Sequence, residues 1–307
     1  MPTYLQHLTT RLTDGLQRLP AASRLQHVGY LRACQNPDGG FSGREGGSDL
    51  YYTAFALRGL AVLDALTPEV CERAAAFLRQ SLTGRTTVVD FYSLLYACLL
   101  VQTGGGPDVL ADSPADWPDR VAATLESVRA PDGGYAKEPG AVSGSTYHTF
   151  LVGLCYELLG RPLPRSDDAV RFVRSRQRDD GGYVEFAPMR RSGTNPTAAA
   201  VGVLQMLGAG PTPEERERVV AFLAETTSAE GGLRANGRIP VADLLSTFTG
   251  CWTLAQLDTL DRIDAVAALD YAHSLEGEKG GFRAGIWDER CDVEYSFYGL
   301  GVLALLS

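Results

Sequence analysis

Two carboxylates stand two residues apart where an apolar helix begins: Asp292 and Glu294, in Asp292-Val293-Glu294-Tyr295-Ser296. A carboxylic acid held among apolar walls beside a second carboxylate has its ionised form disfavoured twice, so it keeps its proton near neutral pH. Such a group is a Brønsted acid. The same pair also serves as a simple partner for the positive end of a helix dipole, and the sequence leaves both roles open. Histidine offers little chemistry, because His7, His27, His148 and His273 are the whole supply. His148, in Thr146-Tyr147-His148-Thr149, stands at a helix start, where it contacts a head group, acts as a base, or is a satisfied rim histidine. Six cysteines (Cys34, Cys71, Cys98, Cys155, Cys251 and Cys291) never fall at Cys-x-x-Cys spacing. They read as free thiols packed as small hydrophobes.

The elements that must position these groups are marked by a recurring triplet. It reads Gly39-Gly40-Phe41, Gly133-Gly134-Tyr135, Gly181-Gly182-Tyr183 and Gly280-Gly281-Phe282, with Gly231-Gly232-Leu233 as a softened copy. The interval is about 47 to 50 residues or a multiple of it, which signals a repeat array. A sixth slot without the triplet falls near Leu82-Thr83-Gly84. Each unit reads as helix, Gly-rich turn, helix, linker. In the first, Leu25, Val28, Tyr30, Leu31 and Cys34 form a helical stripe, Asn36-Pro37-Asp38-Gly39-Gly40 stops it, and a second helix is expected over about Leu50 to Leu63. Thr67-Pro68-Glu69 and Thr212-Pro213-Glu214 open later units with an N-cap followed by Pro at the first helical position. Units are expected over about 24–66, 67–105, 117–163, 165–210, 212–260 and 262–307, forming one domain over 1–307. Strand-type alternation is essentially absent, so the fold class is all-α.

The first helix of each pair carries charge on one face and the second is apolar nearly all round. The second helices should therefore form an inner ring and the first an outer one. The inner helices carry Tyr51, Tyr52, Phe55, Phe91, Tyr92, Tyr96, Tyr147, Phe150, Phe248, Trp252, Tyr295 and Phe297. A ring of hairpins leaves a central space, so these aromatics are expected to line a cavity; the alternative is that they fill the core. Every inner helix starts after a Gly-rich loop, and helix N-termini favour an anion. Arg44, Arg190, Arg191 and Arg238 follow such loops or stand at inner-helix starts. An anion-friendly rim above an aromatic funnel suits an amphiphile with a charged head and a hydrocarbon tail.

Composition sets the outer limits. The chain has 307 residues, 45% of them hydrophobic and 21% charged, with a formal net charge of -9. That balance excludes an extended nucleic-acid footprint. No apolar run reaches the length of a membrane span. The opening Met1-Pro2-Thr3-Tyr4-Leu5-Gln6-His7 lacks a basic start and an apolar h-region, so the expected location is cytoplasmic.

Units of the form Tyr30-Leu31-Arg32-Ala33-Cys34-Gln35-Asn36-Pro37-Asp38-Gly39-Gly40-Phe41 resemble the repeats shared by protein prenyltransferase β subunits and by squalene-hopene and other triterpene cyclases. The resemblance runs from about Leu25 to Ser307 and implies an (α/α)6 toroid with a central isoprenoid cavity. Gly231-Gly232-Leu233-Arg234-Ala235-Asn236-Gly237-Arg238 looks like the prenyltransferase stretch that supplies a diphosphate-binding arginine, which maps to Arg238. Arg190 and Arg191 would join it as head-group ligands. The prenyltransferases hold zinc through Asp, Cys and His. Here Asp243 matches the Asp, Leu245 stands where the thiolate belongs and Tyr295 stands at the histidine, so zinc is not expected. Any metal would be Mg2+ accompanying a diphosphate. The cyclases protonate an alkene with Asp-x-Asp-Asp at an inner-helix start. Asp49-Leu50-Tyr51-Tyr52-Thr53-Ala54 lacks the middle acids, whereas Asp292-Val293-Glu294 puts Glu294 on the donor position with Asp292 two residues before it.

Three functions follow. One is a zinc-independent protein acting on an isoprenyl diphosphate, its head group on Arg238, Arg190 and Arg191, with His148, Tyr51, Tyr52, Tyr147, Trp252 and Tyr295 around the substrate. A second is a class II-type cyclase with Glu294 as acid, tuned by Asp292. The third is a toroidal binding or scaffold protein without chemistry. The expected partner is a small isoprenoid; a helical protein partner cannot be read from this chain.

Overall fold

The computed structural model describes residues 2–82 and 87–307. Thirteen α-helices run in order among the described residues. They are α1 (Tyr4–Leu16), α2 (Ala21–Ala33), α3 (Leu50–Val62), α4 (Pro68–Gln80), α5 (Val88–Thr103), α6 (Trp117–Ser127), α7 (Thr146–Leu158), α8 (Ser166–Arg174), α9 (Thr194–Met206), α10 (Pro213–Glu225), α11 (Leu244–Gln256), α12 (Ala265–Ser274) and α13 (Val293–Leu306). Extended backbone in these residues is limited to isolated bridges. From α2 onward the helices follow one another along the chain as six consecutive pairs.

The triplet works as a clamp. Its third residue (Phe41, Tyr135, Tyr183, Leu233 or Phe282) is fully buried. The backbone N–H of that residue donates to a hydroxyl on the following helix: Thr53, Thr149, Thr197 and Thr247 at 2.9 Å, and Ser296 at 3.1 Å. The loop is thereby tied to the helix it precedes, and an otherwise orphaned amide is satisfied. The leading glycine is required twice over. At Gly181 φ is +91°, and an added Cβ would lie 2.3 Å from the Arg218 carbonyl oxygen of α10. Only a residue without a side chain lets the loop rest on the next hairpin. The slot read at Leu82-Thr83-Gly84 runs into residues 83–86, which lie outside the described residues.

Helix starts follow the sequence signals. Thr67 caps α4 with Pro68 at the first position, and Thr212 with Glu215 forms a full capping box on α10. The second helix begins at a side-chain cap in five of the six pairs: Asp49, Thr87, Ser145, Asp243 and Asp292 all accept from backbone amides of the first turn, whereas α9 begins at Gly193 without one.

The residues fall into two compact units, Met1–Leu5 with Asp119–Tyr271, and Gln6–Pro118 with Ala272–Ser307. In the first, α9 packs between α7 and α11 over a core that includes Phe172, Tyr183, Val201, Leu204, Phe222 and Leu254. In the second, α3 packs between α5 and α13, with α4 against α5 and α2 against α3. Buried residues dominate α3, α5 and α13, whereas α2 buries His27, Val28 and Leu31.

Two sequence expectations need correction. Leu25 is 68% exposed, because His27, Val28 and Leu31 define the buried face and Leu25 lies roughly a third of a turn from it. Helix α1 precedes the expected repeats and adds an element that their period does not contain. Its Leu12 and Leu16 are fully buried. Among the described residues no helix is long and apolar enough to cross a membrane.

Candidate active site

The second unit gathers the two carboxylates at the start of α13. Asp292 is the N-cap, its Oδ1 accepting from the Tyr295 amide at 2.8 Å. It is buried, and Arg44 from the loop after the first triplet donates Nε to its Oδ2 at 2.9 Å. The same guanidinium pairs with Asp288 and lies 5.4 Å from the Tyr295 ring centre. Burial pushes the Asp292 carboxyl above its usual range, opposed by the Tyr295 amide and by Arg44. Asp288 moves the other way: burial is outweighed there by the amides of Ala284 and Arg290 and by Arg44.

Glu294 follows in the first turn. Its Oε1 accepts from the Tyr51 hydroxyl at 2.7 Å, with the Tyr298 hydroxyl at 3.4 Å. Burial raises its pKa above the usual glutamate value; the Tyr51 hydrogen bond opposes the shift and the charge of Asp292 adds to it. The group is therefore biased towards the protonated form by its surroundings. Tyr51 is placed by α3, whose cap Asp49 accepts from the Tyr51 and Tyr52 amides at 2.7 and 3.4 Å. Edge-to-face contacts join Tyr51 to Tyr52 and Phe55, and Phe55 to Phe297 and Tyr298, at centroid separations of 4.9 to 5.7 Å. Tyr52 stands against Gly43, where a Cβ would come within 2.5 Å of its ring. Burial and the charges of Glu294 and Asp292 raise the Tyr52 pKa. A carboxyl with a raised pKa thus stands beside a wall of aromatic rings.

The remaining candidates belong to the first unit. His148 Nδ1 lies 2.9 Å from the hydroxyl of Ser145, the cap of α7, and that hydroxyl also contacts the Glu185 carboxylate. Burial, aided by Lys137, lowers the His148 pKa. Burial raises that of Glu185 against its bonds from Ser145 and the Tyr147 amide. Tyr147 is exposed. Trp252 is buried and donates Nε1 to the Tyr4 hydroxyl at 2.8 Å, so α1 supplies a partner that the sequence pattern did not. Arg190, Arg191 and Arg238 are exposed, and among the described residues no salt bridge holds their side chains.

The positions that the resemblance aligns with the zinc ligands hold Asp243, Leu245 and Tyr295. Asp243 is committed as the cap of α11, accepting from the Ser246 amide at 2.7 Å and its hydroxyl at 2.8 Å. Among the described residues no three His, Cys, Asp or Glu side chains converge as metal ligands. All six cysteines are free, and four are buried.

Sequence reasoning missed Asp288, Tyr298, Glu185 and Arg58. Tyr298 had a readable signal, since it lies four residues after Glu294 on one helix face. The contact of Asp288 with Arg44 joins two distant loops and has no local signature.

Three solved structures locate this geometry among known folds. Protein geranylgeranyltransferase-I of Candida albicans, complexed with GGPP, superposes with a TM-score of 0.69 at 14% identity, over 92% of this chain and 90% of that one. A variant of the type II terpene cyclase MstE from Scytonema, in complex with geranylgeranyl dihydroxybenzoate, gives 0.63 at 15% identity over 98% of both chains. An inactive variant of an alpha-1,6-mannanase of Salegentibacter sp. HEL1_6, in complex with alpha-1,6-mannotriose, gives 0.62 at 13% identity over 92% and 97%. Likeness at such identities concerns fold alone. No curated protein matches by sequence. The model of the prenyltransferase alpha-alpha toroid domain matches residues 8–85, 75–236 and 197–307, nearly the whole chain, and the protein belongs to that all-α family.

Proposed function

We propose that the protein binds an isoprenoid against the aromatic wall of the second unit and that Glu294 protonates it, in the manner of a class II terpene cyclase. One observation carries the reading: a half-buried carboxyl, its pKa raised by its surroundings, hydrogen-bonded by Tyr51 and set against aromatic rings. In the reaction the Glu294 O–H bond breaks as its proton forms a C–H bond with one carbon of a substrate alkene. The neighbouring carbon becomes cationic, a second alkene attacks it, and loss of a proton to water ends the sequence. The ring face of Tyr51, beside Glu294, stabilises positive charge next to it. Asp292 contributes a nearby negative charge and, through the helix cap, fixes where Glu294 stands.

A diphosphate substrate is the second reading. It is favoured by the free, exposed guanidinium groups of Arg190, Arg191 and Arg238, with Mg2+ as the diphosphate's own companion. A non-catalytic binding or scaffold role is the third. The proposal takes 1–307 as a single domain in the cytoplasm, and the second reading takes His148, Tyr147 and Trp252, which share the first unit with those arginines, as its further substrate contacts. Two structural relatives are complexed with GGPP and with geranylgeranyl dihydroxybenzoate, so a C20 chain is the first probe. Incubation of purified protein with geranylgeranyl diphosphate, followed by mass spectrometry, tests it. A cyclic product with its diphosphate intact supports Glu294 chemistry. Released diphosphate supports the second reading, and absence of both turnover and binding across prenyl chain lengths overturns the first two.

A further inference from the structure

Tyr51, Phe55 and Arg58 follow one another along a single face of α3. Arg58 is only 9% exposed. Its guanidinium carbon stands 3.9 Å from the ring centre of Phe297, 4.7 Å from that of Phe55 and 5.6 Å from that of Tyr96. Among the described residues no carboxylate pairs with it and none of its nitrogens donates a hydrogen bond; Nε is fully enclosed. A guanidinium keeps its charge at any physiological pH and carries five N–H donors. Ring faces attract the charge but leave most of those donors unmet.

Two other enclosed arginines give the internal comparison. Arg176 stacks on Phe172 at 4.3 Å and also bonds Asp132 at 2.5 Å. Arg129 stacks on Tyr135 at 4.3 Å and also bonds Glu126 at 3.0 Å. In both, stacking accompanies a carboxylate. Arg58 has the rings without the anion, which is the exception among buried charges.

We propose that the missing partner is the ligand: Arg58 is an anion-binding site that takes a carboxylate or phosphate group on the isoprenoid. This rests on the reading that the second unit binds an isoprenoid, and it fixes the ligand's direction. Positive charge developing on the substrate is repelled by a guanidinium at low dielectric, so the reacting alkene must lie away from Arg58. Seven residues separate Tyr51 from Arg58 along α3, about 10 Å at the helical rise. The anionic end then sits at Arg58 and the alkene reaches towards Glu294.

The test uses the full chain and three C20 probes: geranylgeraniol, geranylgeranoate and geranylgeranyl phosphate. Calorimetry is run on the wild type, Arg58→Met and Arg58→Lys. We expect one or both anions to bind the wild type at least about tenfold more tightly than the alcohol. Arg58→Met should erase that preference while leaving alcohol affinity unchanged, and Arg58→Lys should retain part of it. The two anion arms separate a carboxylate ligand from a phosphate one. Equal affinity for all three probes, or a preference that survives Arg58→Met, overturns the Arg58 assignment and leaves the isoprenoid reading intact. If no C20 probe binds, the isoprenoid reading fails. Benzoate and inorganic phosphate then decide Arg58 alone: a thermal shift in the wild type that Arg58→Met lacks upholds the anion site, and its absence ends it.

Discussion

The Tyr51 hydroxyl donates a 2.7 Å hydrogen bond to Glu294 Oε1 across 243 residues of sequence. A phenol that donates to a carboxylate favours the ionised form, so this bond restrains the rise that burial imposes on Glu294. Tyr51→Phe removes the restraint. The expected outcome is a higher Glu294 pKa, seen as an alkaline shift of the descending limb of the pH–rate profile or of the carboxyl infrared band. An unchanged profile would show that the hydroxyl bond does not govern the proton on Glu294.

Glu294→Gln removes the acid and keeps the shape. Cyclisation should fall by on the order of 10²- to 10⁴-fold with prenyl binding retained, measured by turnover and calorimetry. Stability should respond with a definite sign. Because the folded pKa is raised above the unfolded value near 4.5, the folded state holds the proton more tightly. Its contribution is complete below that value and is lost as pH climbs through the folded pKa. Glu294→Gln should therefore flatten this loss, so that its Tm gain over the wild type grows from acid towards neutral pH.

Asp292→Asn separates two roles of one side chain. Asn caps helices as well as Asp, so α13 should keep its start. The negative charge that raises the Glu294 pKa is gone, however, and Arg44 keeps only Asp288. The Glu294 titration should move to lower pH with a loss of stability of about 1–3 kcal/mol from the broken, largely buried pair. A pH titration and a urea melt read the two effects independently.

Gly181→Ala tests the clamp. The substitution forces a side chain into φ +91° and onto the Arg218 carbonyl, and about 3 kcal/mol of stability should be lost. Gly140 supplies the control: its φ is +78°, and a Cβ added there would meet nothing within 4 Å, so Gly140→Ala should lose only about 1 kcal/mol. Similar losses at both sites would mean that backbone strain, not the approach of α10, makes the first glycine necessary.

Short-range patterns determined much of this protein. The triplet period set the number of hairpins, since each copy needs a positive φ and a buried third residue. Thr67-Pro68 and the Thr212 capping box set where α4 and α10 begin, because caps satisfy amides within one turn. Glu294 and Asp292 were legible for the same reason: an acid at the head of an apolar helix is conspicuous in sequence. What only the tertiary structure decided depends on contacts between distant segments. Tyr51 reaching Glu294, Arg44 bridging Asp288 and Asp292, and Tyr4 of α1 covering Trp252 join elements that no periodicity links. Arg58 shows the difference most clearly. One charged residue in an apolar helix reads the same whether a carboxylate meets it or not, and only the packing of α3 beside Tyr96 and Phe297 shows that among the described residues none does.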